Sequence, residues 1–247
     1  MGKLFGLDIY TKGKNALLDD ISIKDEKVHI VSGNAEVLKR PLKDNSLFEE
    51  FSQEHLIIIP DGVSVSVPIK VKKHIDVERI TGIDLMISIL EKYEKEGKSV
   101  FLLGAKEPVV EKVVKNIAEK YPHLYIAGYN HGFINIHDCD DILKKIKASN
   151  ADALFVAMGT PNQETFIINY MDELPCKLYM GVGGSFDVLS GEVSRAPKWI
   201  SKIGMEWLYR IAKDPSKIKR LGNNLIFTIK GVRSEERRVG KECPRCV

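Results

Sequence analysis

An α/β fold, with a largely parallel sheet sandwiched by helices and a basic helical appendage at the C-terminus, is predicted by three features of the sequence. Short apolar, β-branched runs alternate with amphipathic stretches along most of the chain, the pattern of strands joined by crossover helices. Runs such as LIII (Leu56–Ile59) and ALFVAMG (Ala153–Gly159) are apolar at nearly every position, as strands covered on both faces must be. Beyond Gly191 the alternation stops and a helical, cation-rich pattern replaces it.

The elements follow in order. A strand over Val28–Ser32 leads into an amphipathic stretch over Asn34–Phe51. Leu56–Pro60 is the next strand, and Gly82–Lys95 the next helix. Ser99–Leu103, Leu124–Ala127, Ala153–Met158 and Lys177–Val182 read as further strands. Pro108–Tyr121, Asp138–Ala148 and Gln163–Leu174 read as the helices between them. Residues 1–197 thus form one Rossmann-like α/β core. Residues 198–232 form the appendage, where Trp199, Met205, Trp207, Leu208 and Tyr209 lie among Lys198, Lys202, Arg210, Lys213, Lys217, Lys219, Arg220 and Lys230. Residues 233–247 stand apart. Arg233–Cys243 reads RSEERRVGKEC, which resembles the in-frame translation of a sequencing-adapter oligonucleotide, and is set aside as a non-native tail.

Composition narrows the function. The 247 residues are 44% hydrophobic and 29% charged, which excludes a disordered, collagen-like or disulfide-scaffold protein. The net charge of +3 is too small to argue for nucleic acid. No apolar run reaches the ~18 residues a membrane-spanning helix needs, and no secretory leader pattern opens the chain. Cys243-Pro-Arg-Cys246 is half a zinc site without its partner pair. The other cysteines, Cys139 and Cys176, suit a reducing cytoplasm.

In open α/β sheets ligands bind at the carboxyl ends of the strands. The turns there are Ser32–Glu36, Pro60–Gly62, Gly104–Lys106, Gly159–Glu164 and Gly181–Asp187, all polar and glycine-rich. Asn34 and Asp61 are either helix caps and turn residues or ligand contacts. Thr160-Pro161 with Glu164 reads as a helix start with Pro at its first position. Gln163, one turn in, has no such structural explanation. The glycines of Gly181–Gly184 serve tight turns, or let backbone N–H groups approach a phosphate. GVGGSF is not the dinucleotide fingerprint, since Phe186 fills the sixth place, and no P-loop is present. A nicotinamide dehydrogenase and a P-loop NTPase are therefore disfavoured. Arg79 either pairs with Glu78 or Asp84 or forks onto a phosphate or carboxylate. His131, His137 and Asp138–Asp141 invite a metal reading, but the aspartates precede a helix whose dipole they complement, and no metal is assigned.

Taken in order, these turns resemble the WecG/TagA/CpsF glycosyltransferases, family 26. The matching strings are GNAE (Gly33–Glu36), PDG (Pro60–Gly62), ERITGIDLM (Glu78–Met86), FLLGA (Phe101–Ala105), GTPNQE (Gly159–Glu164), GVGGSFDVLSGEVSRAP (Gly181–Pro197) and GMEWLYR (Gly204–Arg210). They span about residues 3 to 230. The resemblance implies an inverting, metal-independent transfer with no cofactor. The sugar moves from a UDP-sugar donor to an undecaprenyl-diphosphate-linked saccharide at the inner face of the cytoplasmic membrane. The type most resembled moves N-acetylmannosamine onto GlcNAc-diphosphate-undecaprenol for wall teichoic acid. Relatives use N-acetylmannosaminuronate or glucose donors for capsule or exopolysaccharide. A nucleotide-binding α/β protein without catalysis is the alternative from another class.

By the same resemblance Asp61 is the general base, and Arg79 orients the acceptor diphosphate or a catalytic carboxylate. Gln163, Ser32 and Asn34 hold hydroxyls, and Gly104, Gly159, Gly183 and Gly184 line the substrate. Arg210, Lys217 and Arg220 stabilise the leaving UDP. Lys217 stands where Arg is common, so a point charge replaces a planar fork. The appendage, with Trp207, Leu208, Leu225, Ile226, Phe227 and Ile229, reads either as a membrane-surface helix or as one packed on its own domain or a second subunit. The resemblance also implies self-association into a homo-oligomer.

Overall fold

The computed structural model describes residues 1–73, 76–194 and 218–233. Its elements are β1 (Gly2–Leu4), β2 (Leu7–Ile9), α1 (Lys14–Ile23), β3 (Val28–Gly33), α2 (Ala35–Leu38), α3 (Asn45–Glu50), β4 (Leu56–Pro60), α4 (Val63–Lys73), α5 (Gly82–Glu96), β5 (Ser99–Gly104), α6 (Glu107–Lys120), β6 (Tyr125–Asn130), α7 (Asp140–Ser149), β7 (Ala153–Ala157), α8 (Asn162–Tyr170), β8 (Leu178–Gly181), α9 (Ser185–Leu189) and α10 (Ile218–Arg233). The strands form one sheet in the order β1-β2-β4-β3-β8-β7-β5-β6. Among the described residues only β1 and β2 pair antiparallel, and the other pairings are parallel. The α/β class predicted by the alternation is the fold observed.

The apolar runs are explained by burial on both faces. Alternate residues of β5 divide between two cores, Val100 and Leu102 on one side and Phe101 and Leu103 on the other. The first face is covered by α1, α5, α6 and α9, through Leu17, Met86, Ile89, Val113 and Phe186. The second is covered by α7 and α8 at one end and by α2, α4 and Phe227 of α10 at the other. Every residue of β4, β5, β7 and β8 is buried, so a single polar substitution there would leave an unsatisfied group in the core.

Helix ends follow local chemistry. Thr81 caps α5 by accepting from the Asp84 N–H, and Gly97 closes that helix in the left-handed region at φ 66°. Asp140 and Asp141 occupy the first turn of α7, where they complement its dipole. Among the described residues no group of three His, Cys, Asp or Glu side chains gathers as a metal site. The stretch Asn34–Phe51 is not one helix: it breaks into α2 and α3 around Pro41, which has no N–H to continue the ladder. Asp44 restarts it by capping Leu47 N–H at 3.2 Å. The helix after Gln163 ends at Tyr170, short of Leu174. There Lys27 Nζ donates to the carbonyls of Met171, Asp172 and Leu174 at 2.7, 2.9 and 2.9 Å, a cation meeting the negative end of a helix. The strand expected over Leu124–Ala127 runs later, over Tyr125–Asn130.

β1, β2, α1 and α4 had no sequence assignment. The two strands are three residues each, too short to show a period. In α4 the sequence VSVSVPIKVKK alternates at every second residue, yet it coils, burying Val65 and Ile69 one turn apart. Of the appendage, residues 198–217, with Trp199 and Tyr209, lie outside the described residues. So do residues 234–247 with Cys243 and Cys246. The part described, α10, packs on α4 and α2. Phe227 is buried edge-on against Phe5, and Gly231 passes so close to Pro68 that a Cβ would stand 3.0 Å from its ring. Among the described residues no helix is long and apolar enough to cross a membrane.

Candidate active site

Strand register assembles the site. Gly33 pairs with Pro60, so Asn34 and Asp61 leave the sheet side by side. Val156 pairs with Gly181, and the Val182 N–H donates to Val156 O at 2.9 Å, which brings the turns after β7 and β8 level with each other. A cleft of about 310 Å³ opens over these four strand ends. Ser32, Asn34, Glu36 and Val37 line it from β3 and α2, and Asp61 from β4. Thr81, Gly82 and Ile83 line it from the start of α5. Gly159, Thr160 and Gln163 come from the β7–α8 turn, and Gly181–Ser185 with Val188 from β8 and α9. Four of the five glycine-rich turns therefore converge.

Asp61 sits half-buried where the Gly82 N–H donates to its Oδ1 at 3.3 Å. Gly82 opens the fifteen-residue α5, so the carboxylate meets the positive end of a long helix dipole. Gly82 leaves room for Ser32 Oγ, which a Cβ there would approach to 2.6 Å and oblige to rotate. That hydroxyl is buried without a hydrogen-bond partner among the described residues, a donor and acceptor held at the cleft wall. Gly159 turns at φ 73° and Gly183 at φ 49°, in the left-handed region that glycine enters most readily.

Other expected contacts are engaged within the fold. Asn34 caps α2, its Oδ1 accepting from the Glu36 and Val37 N–H groups at 2.9 and 3.1 Å while Nδ2 donates to Ser32 O. Asn34 is thus a helix cap, and it also lines the cleft. Gln163 is 3% exposed; its Nε2 donates to Glu164 Oε1 at 2.7 Å and its Oε1 accepts from Gly183 N–H at 2.9 Å. It braces the wall, and the Gly183 amide is already occupied. Pro161 stands at the cap position rather than the first turn of α8.

Gly104 is not brought to the cleft. It ends β5 level with Ala157 at φ 143°, and a Cβ would stand 2.5 Å from the Ala157 backbone. Its glycine is demanded by the packing of two adjacent strands. Arg79 lies half-buried two residues before Thr81 and is not a lining residue. Arg210 and Lys217 lie outside the described residues, and Arg220 falls on α10 with its side chain outside them.

The sequence assigns no site role to three polar residues, two that line the cleft and one hydrogen-bonded behind its wall. Thr81, the cap of α5, and Glu36 both line the cleft. The Thr before Gly82-Ile83-Asp84 was the available signal for the first. Glu164 is 5% exposed, and burial pushes its carboxyl above the ordinary carboxylate value, against hydrogen bonds from Gln163 and Thr160. Nothing local separates it from a surface glutamate in a first turn. The assembled cleft offers a carboxylate placed for proton transfer, a buried hydroxyl without a partner among the described residues and a glycine-rich wall that a ligand can approach closely.

Comparison with known proteins agrees in kind. The family model described as glycosyl transferase WecG/TagA/CpsF matches residues 3–241. An N-acetylglucosaminyldiphosphoundecaprenol N-acetyl-beta-D-mannosaminyltransferase of Bacillus subtilis (strain 168) is 38% identical over 199 residues, covering 80% of this chain and 77% of the relative. A protein of the same name from Bacillus spizizenii is 36% identical over 192 residues, covering 78% and 74%. Such a match over nearly the whole fold, with the cleft at the strand ends that carry its motifs, means that the chain belongs to the WecG/TagA/CpsF family of glycosyl transferases.

Proposed function

We propose that this chain moves N-acetylmannosamine from UDP-N-acetylmannosamine to GlcNAc-diphosphate-undecaprenol, with inversion, in teichoic acid-type polymer synthesis. The relatives' names supply the acceptor and the sugar. The observation that carries the chemistry is Asp61, a carboxylate that lines the same cleft as Gly181–Gly184 and accepts from the Gly82 N–H. In a single displacement the acceptor hydroxyl attacks the anomeric carbon as the bond to UDP breaks. Asp61 takes the hydroxyl proton, and the electron pair leaves with the diphosphate. Ser32 Oγ is available to a sugar hydroxyl.

The leaving diphosphate needs positive charge. Among the described lining residues the ionisable ones are Glu36 and Asp61, so this reading gives the cationic role to Arg210, Lys217 and Arg220, with Arg79 on the acceptor side. Membrane contact is part of the proposal. On α10, Leu225, Ile226 and Ile229 are 60%, 53% and 43% exposed; α4, on which α10 packs, also exposes Val67 and Val71, and Lys230 lies on α10. Apolar side chains beside cations suit an anionic lipid surface.

The test uses a soluble GlcNAc-diphosphate-lipid analogue and a panel of UDP-sugars, with UDP release as the readout. Release with UDP-N-acetylmannosamine, unaffected by a chelator, is the expected result. Asp61→Asn should abolish turnover while UDP binding survives; full activity in that variant would remove Asp61 as the base. Silence with every donor would refute the reading.

A further inference from the structure

Gln163 and Glu164 are consecutive residues at the start of α8, and both are buried. An amide has one accepting end and one donating end, so whatever holds one end decides what the other can do. Glu164 Oε1 accepts from Gln163 Nε2 at 2.7 Å. That leaves the amide oxygen facing the Gly183 N–H, at 2.9 Å. The reverse orientation would set two donors against each other at Gly183. Thr160 Oγ1 donates to the same carboxylate oxygen at 3.3 Å and holds it in place. Gly181 leaves the room for this: a Cβ there would stand 2.6 Å from Gln163 Nε2.

Packing alone does not account for a carboxylate here. Glu164 Oε2 is buried with no partner among the described residues, and an apolar side chain of the same size would avoid that cost. The arrangement makes sense if the direction of the Gln163 amide matters. We infer that Glu164 is a positioning residue of the transfer reaction: it orients the Gln163 amide, which holds the Gly183 turn in the shape that receives the donor's diphosphate. This rests on the proposed function, because the diphosphate is what the turn receives. Glu164 itself touches no substrate.

Two readouts separate the relay from the reading it rests on. Amide hydrogen exchange at Gly183 in the ligand-free full chain reads the relay directly, and UDP affinity by calorimetry reads its consequence. Glu164→Leu, which removes the acceptor, should lower Gly183 protection and weaken UDP binding about tenfold, the scale of one lost oriented hydrogen bond. Glu164→Gln keeps an acceptor oxygen and should retain most of both. The double variant Gln163→Leu/Glu164→Leu should bind UDP no more weakly than Gln163→Leu, because effects through one chain of contacts do not add. Thermal unfolding of each variant checks that it is folded. Unchanged Gly183 protection in Glu164→Leu would overturn the inference, as would additive losses in the double variant or an equal loss in Glu164→Gln. A wild-type chain with a protected Gly183 that binds no UDP would overturn the proposed function and, with it, the role of Glu164 in transfer.

Discussion

His29 gives a pH dependence that can be isolated by one substitution. It sits on β3 with both ring nitrogens buried and without partners among the described residues. Burial, with a smaller push from His55, lowers its pKa from 6.5 to about 3. The unfolded chain therefore binds a proton that the folded chain refuses. For such a depressed base, stability is fully present above the unfolded value and is lost as pH falls through the window from 6.5 toward 3. Linkage over that interval puts the loss at about 2 kcal/mol near pH 5 and about 3 kcal/mol near pH 4. Against a typical stability of about 5–15 kcal/mol, that is a large fraction. Urea unfolding at about pH 7, 5 and 4, on the wild-type chain and on His29→Leu, measures it. The carboxylates that also titrate, such as Asp20 held low by Tyr10 and Lys12, are common to both chains. The difference between the two curves thus belongs to His29. The variant should gain on the wild type steadily as pH falls; parallel curves would refute the assignment of a neutral, buried imidazole.

The remaining expectations concern the fold and the site. Lys27→Met should cost about 2 kcal/mol in urea unfolding, because the last carbonyls beyond α8 lose a charged donor. A midpoint unchanged from wild type would show that solvent replaces it. Gly104→Ala should destabilise by about 2 kcal/mol or more, since φ 143° and a Cβ 2.5 Å from the Ala157 backbone are both unfavourable; a wild-type thermal midpoint would contradict the packing. Arg210→Ala should lower the transfer rate about 10²-fold, the scale of lost charge stabilisation on a leaving group. Steady-state UDP release reads it, and an unchanged rate would take Arg210 out of the site.

Much of the fold is legible in the sequence. A parallel strand covered on both faces leaves a continuous apolar run, as in Leu56–Pro60 and Ala153–Ala157, and a crossover helix leaves a period near 3.6, as in Gly82–Glu96. The turns are legible too, because glycine, Asn and Asp cluster where the chain leaves a strand. Asp61, Asn34, Gly159, Gly183 and Gln163 are therefore recognisable as cleft residues from their places after strands.

The tertiary structure decided what those places meant. Gly104 and Gly159 both follow buried strands and look alike in sequence. Strand order alone puts Gly159 over the cleft beside β8 and tucks Gly104 against Ala157. Gln163 has no local structural explanation, yet its amide meets Gly183 twenty residues away, and Asn34, open in sequence between cap and ligand contact, caps its own helix at the cleft edge. Lys27 finds the end of α8 across 144 residues of chain, and Glu164 is buried although it stands in the first turn of a helix. Composition and period record what a residue needs within a few neighbours, which is why the sequence determined the class and the strand ends. Partners set by strand order and long-range packing leave no local trace, so the shape of the cleft and the work of each side chain in it came from the assembled sheet.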